Sequence, residues 1–132
     1  MNIQNLVQDA CFDKLNAASL TVYVDPEDSD ALPYTVLRVG NVSEGLMMSK
    51  THDGFSCVAS MVSWSTSPNT AQANAAIGVS ALLDRGVTWS IAGFTVSMVR
   101  LEFMGDIEED ASRPNDTYWA VPFNVRFEVE EQ

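Results

Sequence analysis

Basic residues are what this sequence has least of. Its 132 residues carry 7 Lys and Arg against 18 Asp and Glu, a formal net charge of −11, with a pI near 4.1. Sequence-independent binding to DNA or RNA needs a basic face that displaces counterions from phosphates, and there is no such supply here. Docking to an anionic membrane surface is excluded for the same reason. No apolar run approaches the roughly 20 residues of a bilayer-spanning helix. The first 20 residues lack a basic start and a continuous apolar stretch, carrying Gln4, Asp9, Asp13 and Lys14 instead, so they do not read as an export signal. Cysteine is scarce, with Cys11 and Cys57 isolated in sequence, offering neither a CxxC pair nor a zinc-type spacing. They are expected to be reduced thiols in a cytosol, acting as small core hydrophobes. No phosphate loop, GxGxxG or G-x-S-x-G occurs.

What is present is a folding chain. The hydrophobic fraction is 46%, which with this length suits one domain, residues 1–132, around one core. Residues 2–18 read as an amphipathic helix, because Ile3, Leu6, Val7, Ala10, Cys11 and Leu15 recur at spacings of three and four. Leu20–Val24 is a short β-rich run, followed by the acidic turn Asp25-Pro26-Glu27-Asp28-Ser29-Asp30. Tyr34–Val42 reads as a strand, and Ser43–Gly54 as a connector containing Met47 and Met48. Phe55–Thr66 is apolar or small on both parities, as in a central strand covered on both faces.

Ser67 and Pro68 form a helix start, an N-cap followed by Pro at the first helical position. That helix is expected to run to about Arg85, with Gly86 as its stop and Ala73, Ala76, Ile77, Leu82 and Leu83 on its buried face. Trp89–Ile91 is a short extended piece before a turn at Ala92-Gly93. Phe94–Met104 is a long strand whose apolar parity switches near Met98, the signature of a bulge. Gly105–Thr117 reads as a polar, acidic connector. In Tyr118–Glu130, Val121, Phe123, Val125, Phe127 and Val129 alternate with Pro122, Asn124, Arg126, Glu128 and Glu130. One face is apolar and one wet, with Pro122 assigning the strand's first part to an edge or a bulge. The expected fold is α+β: a mainly antiparallel sheet of four to five strands, with two helices packed on one face and one edge left open.

The search for chemistry is nearly empty. His52 precedes Asp53, a pair that can act as a base or a metal ligand. A single histidine builds no metal site alone, and the pair reads as polar loop. Cys57 with His52 could be a thiol dyad, but no nucleophile motif surrounds it. The acids at 25–30 and 106–110 lack the alternation of a calcium loop and read as solvated loops. Trp64, Trp89 and Trp119 lie in or beside strands and read as core or interface residues. Met47 and Met48, flexible side chains in a Gly-flanked loop, suit an adaptable contact surface.

Several segments together resemble a known family. These are the N-terminal amphipathic helix, the lead-in Leu32-Pro33-Tyr34-Thr35-Val36-Leu37 after an acidic loop, and a strand ending in Trp64-Ser65-Thr66. The helix Thr70–Leu83, a strand carrying Arg100 and a final Val125-Arg126-Phe127-Glu128-Val129 strand complete the pattern. In this order and spacing the chain resembles the small tail-completion proteins of long-tailed phages and gene transfer agents, including tail terminators of the lambda type. The 105–117 connector and the Met47-Met48 loop fall outside the pattern.

The resemblance implies a non-enzymatic virion protein of the tail or neck, assembled in the host cytoplasm, with no cofactor and no metal. It implies a homo-oligomeric ring, typically a hexamer, that caps the tail tube, ends tube polymerisation and joins the head connector. DNA would pass through without specific binding, and an acidic lumen suits that. On this reading Met47, Met48 and Trp119 are candidates for subunit or partner contacts. Asp28, Asp30, Asp106, Glu108, Glu109 and Asp110 are expected at the rim or lumen. Two alternatives stand beside it: another neck or tail component, such as a head-completion protein or tube subunit, and a small acidic protein that inhibits a nucleic-acid enzyme by mimicking DNA.

Overall fold

A computed structural model of the chain describes residues 3–26, 31–44, 54–83, 89, 91, 93–113 and 116–131. The first element is α1 (Ile3–Ala17), whose Ile3, Val7, Cys11 and Leu15 are buried at a strict spacing of four. It ends in a Schellman turn: Leu20 N donates to Leu15 O, Ser19 N donates to Asn16 O, and Ser19 sits at φ 68°. Then come β1 (Val22–Tyr23), β2 (Tyr34–Glu44), β3 (Gly54–Ser65), α2 (Pro68–Leu83), β4 (Phe94–Met104), β5 (Glu108–Arg113) and β6 (Asp116–Glu131).

The fold is α+β, and its sheet has six strands, one more than the upper expectation. The order is β1-β2-β3-β6-β4, with β5 also pairing β6. Only the β1–β2 pair is parallel. The extra strand is β5. Its residues, Glu108–Arg113, fall in the stretch expected to be a connector, and they pair with β6 from Glu108↔Ala120 to Arg113↔Asp116. A polar, charged strand at a sheet edge gives no apolar alternation, so periodicity cannot reveal it.

The alternating strand β6 behaves as its pattern dictates. Val121, Phe123, Val125, Phe127 and Val129 are all buried, and opposite them on β3 lie Ser63, Met61, Ala59, Cys57 and Phe55. With Leu37 and Val39 of β2 they form the face on which the helices pack. Trp89 closes one end of this core, edge-on to Phe127 at 5.0 Å between ring centroids. On the opposite face Val58, Ser56 and Glu128 are also buried, although both helices lie on the first face. The parity switch expected near Met98 is a register shift between Val96 and Met98, and a second shift falls between Leu101 and Phe103.

Two expectations need correcting. Pro122 is not at an edge, because β6 is interior, with β3 on one side and β4 and β5 on the other. Its carbonyl accepts from Gly105 N at 2.8 Å, where β4 ends and before β5 begins. The missing proline N–H therefore points at the joint between two strands and breaks no ladder bond. Gly105 must be small there, since a Cβ on it would come within 2.7 Å of Pro122 Cγ.

The buried face of α2 is also different. Ala71, Ala75, Gly78 and Leu82 are buried, while Ala73, Ala76 and Ile77 face outward and Leu83 is half-buried. The helix is apolar nearly all round, so periodicity alone could not choose its face; Gly78 chooses it, because only a bare backbone fits against Phe123. The N-terminus begins as expected, with Thr70 N donating to Ser67 Oγ at 3.4 Å and Ala71 N to Ser67 O. Ser63 Oγ of β3 donates to Ala71 O at 2.9 Å and ties the helix start to the sheet.

Candidate interaction surfaces

Among the described residues no group of three or more His, Cys, Asp or Glu side chains is placed to hold a metal ion. No described helix is long and apolar enough to cross a membrane. Both cysteines are free and buried. Burial pushes the Cys57 thiol up to about 11, helped by the nearby Glu128 carboxylate and opposed by Arg126. Burial likewise raises Cys11, with a further push from Cys57. A buried thiol held protonated is not a nucleophile, so the Cys57 half of the dyad reading fails on chemistry. His52 lies outside the described residues.

The exposed surfaces begin with the two sheet edges. On the β2 side the edge is covered as far as Val39. The short β1 covers Thr35 and Val36, and two side chains of α1 cover the next exposed backbone. Gln4 Nε2 donates to Val39 O, and Val39 N donates to Gln8 Oε1 at 3.3 Å. These glutamines imitate a neighbouring strand, which leaves this backbone satisfied without another chain. A groove of about 360 Å³ lies alongside, lined by these glutamines with Val24, Asp25, Arg38 and Val39.

On the other side the edge is formed by β4 and then β5. Near the end of β4 three large apolar side chains stand exposed: Leu101 at 40%, Phe103 at 51% and Met104 at 45%. By register Leu101 and Met104 lie opposite Val125 and Phe123 on the helix-bearing face, and Phe103 lies opposite Asn124 on the other. Glu102 between them is held by Arg126, whose Nε and Nη2 reach Glu102 Oε1 at 2.9 and 2.6 Å. Immediately beyond come the acids. Asp106, Glu108 and Glu109 are exposed and Asp110 is half-buried. Glu108, Glu109 and Asp110 belong to a paired strand and not to a loop, so the expectation of an acidic loop at 106–110 holds only for Asp106.

A second apolar surface lies on the helices. An open groove of about 410 Å³ is lined by Ala18, Ala76, Ile77, Ser80 and Ala81, with Ile77 41% exposed. Not one residue from Pro68 to Leu83 carries a charge. Neither this groove nor the β4 patch was singled out from the sequence. The signal for the groove was the absence of charge from α2, which also concealed its face.

The candidate contact residues stand as follows. Trp119 is half-buried, packs against the core and pairs with Ser65 and Glu109 in the sheet. Met47, Met48, Asp28 and Asp30 lie outside the described residues.

No family model matches the chain, and no curated protein matches it. Among solved structures the fold is similar to that of a chain in the "Virion of native gene transfer agent (GTA) particle". The TM-score is 0.64 and the identity 19%, and the alignment covers 94% of each chain.

Proposed function

We propose that this chain is a structural subunit of a phage-like virion, and that it acts in the tail or neck as a ring that caps the tail tube. The ring would end tube polymerisation and present the joint to the head connector. The observation that carries the reading is the agreement in fold, over 94% of both chains, with a chain of a gene transfer agent virion. The surface supports it through exposed apolar side chains that suit contacts with other subunits. The exposed acids Asp106, Glu108 and Glu109 suit a channel wall that repels phosphates.

Native mass spectrometry and negative-stain imaging of the purified protein, followed by addition to growing tail tubes, test the proposal. The expected result is a closed ring of one kind of subunit that stops tube growth at one end. A protein that polymerises by itself into long tubes is a tube subunit instead. A protein that stays monomeric and captures a host nuclease is an inhibitor.

A further inference from the structure

We infer that the outer side of α1 on one copy seats on the bare face of the sheet of the next, so that copies stack front to back. The inference deepens the ring reading and rests on it only for closure of the ring; the contact itself is a property of two copies. β3 is apolar on both faces, and its Val58, Val62 and Trp64 lie on the face that carries no described helix. On this face Arg100 of β4 stands directly opposite Arg126 of β6, and like charges so placed repel. Glu102 takes Arg126, Glu128 is buried, and Glu130 lies beyond it, opposite Thr95. Arg100 is exposed and has no carboxylate partner among the described residues. Exposed Phe103 shares the face, opposite Asn124. The bare face thus presents an aromatic ring near an arginine that lacks an anion.

The outer side of α1 is its complement in charge. Asp9, Phe12 and Asp13 are exposed there, away from the buried Ile3, Val7, Cys11 and Leu15. The two aspartates stand one turn apart, about 6 Å along the axis, and neither has an ion pair among the described residues. The one basic residue of α1, Lys14, lies instead over Trp89, 5.8 Å from its ring centroid. Phe12 against Phe103 makes an apolar centre. The aspartates against Arg100 make a wet rim whose charges select the partner and fix its register. A nucleic acid does not fit, because Glu102 and Glu130 share the face with Arg100 and the chain carries −11. The acids of β5 pair with Tyr118–Ala120, about 20 Å from Arg126 along β6, and stay outside the contact. The two surfaces are unlike, so the contact is heterologous. Such contacts build rings when the rotation closes and filaments when it does not. Here they also lay a helix on the open side of each sheet, a stable layering.

Charge reversal on each side tests the contact. Arg100→Glu reverses the sheet face, and Asp9→Arg with Asp13→Arg reverses the helix. All three positions are exposed, arginine suits a helix, and a carboxylate at position 100 would face Arg126. The fold should therefore hold, as circular dichroism and thermal melting will verify. The helix variant makes the net charge of −11 less negative, so its loss of assembly cannot come from added repulsion. Sedimentation over a concentration series should show wild type assembling beyond the dimer, and each variant alone, though folded, needing on the order of 10-fold more protein. Mixed in equal amounts, the two variants should assemble at wild-type concentrations, since every acidic surface again meets a basic one. All three exchanges in one chain should do the same. If wild type forms rings and either variant alone assembles equally well, or the mixture and the triple variant fail to recover, the contact lies elsewhere and only this inference fails. If wild type is monomeric throughout, the ring reading fails with it.

Discussion

Gly78→Ala should destabilise this protein, although alanine in place of glycine within a helix normally does the reverse. The helical term favours Ala by about 1 kcal/mol. Against it stands the contact that fixes the helix on the sheet. A Cβ at position 78 would lie 2.8 Å from Phe123 Cζ and 3.3 Å from Cε2, with Leu15 Cδ2 at 3.6 Å. Phe123 is fully buried, so its ring has no solvent to move into, and overpacking of this kind costs about 1–3 kcal/mol. The balance is a net loss of about 1 kcal/mol. Phe123→Leu, itself destabilising by about 1–2 kcal/mol, removes the ring edge that the new methyl meets. In that background Gly78→Ala should recover the helical term and stabilise by up to about 1 kcal/mol. Urea unfolding followed by tryptophan fluorescence reads both effects as midpoint shifts at unchanged slope. A raised midpoint for Gly78→Ala in the wild-type background would refute the reasoning, as would an equal effect in both backgrounds.

The remaining expectations concern the core, the helix end, the thiols and the acids. Phe127→Ala removes a fully buried ring stacked edge-on with Trp89 and should cost about 3–5 kcal/mol in urea unfolding; a loss below about 1 kcal/mol contradicts its placement. Ser19→Gly should raise stability by about 1 kcal/mol, because Ser19 holds φ 68° in the Schellman turn, and a lowered melting temperature would contradict this. An unfolded thiol ionises near 9.0 and folded Cys57 near 11. Stability from this group is thus complete below pH 9 and lost as pH rises toward 11, by about 1.4 kcal/mol per pH unit. Cys57→Ser should reduce that alkaline loss, the remainder coming from Cys11, whose thiol burial also raises, and an unchanged slope would show that Cys57 is not a source. Converting Asp106, Glu108, Glu109 and Asp110 to their amides should leave the fold and the assembly intact and make assembly less dependent on salt; a folded monomer would mean that β5 binds a partner.

How far the sequence revealed this molecule depended on contrast within each segment. From Val121 on, β6 alternates apolar and polar residues, and Val121, Phe123, Val125, Phe127 and Val129 all face the helices. α1 carries polar residues between Ile3, Val7, Cys11 and Leu15, so its face was legible too. α2 had no contrast, since Ala73, Ala76 and Ile77 are as apolar as the buried Ala71, Ala75 and Leu82. What decides between those faces is the fit of Gly78 to a ring on a strand 45 residues later, a contact that no local pattern encodes. β5 failed for the opposite reason: Glu108, Glu109 and Asp110 are uniformly polar, and their pairing follows from the long hairpin they share with β6. The surfaces most useful for assembly were equally hidden. Leu101 and Met104 look like core in a strand, yet they stand exposed on the helix-bearing face, and Phe103 stands exposed on the face that carries no helix.

The distribution of charge then decides how copies of this chain can meet. Along one edge the exposed apolar residues of β4 are followed directly by Asp106, Glu108 and Glu109. An uninterrupted apolar edge would invite edge-to-edge pairing between copies, and acids placed on the same line oppose it. Two copies brought together β5 to β5 would set like-charged carboxylates against one another. Six copies at −11 each carry −66, tolerable only if those charges stand in water, where salt screens them within about 8–10 Å. The same acids that forbid pairing along the edge would therefore have to line the wet surfaces of any ring. The side chains that can enter its contacts are the few that this acidic chain leaves both apolar and exposed.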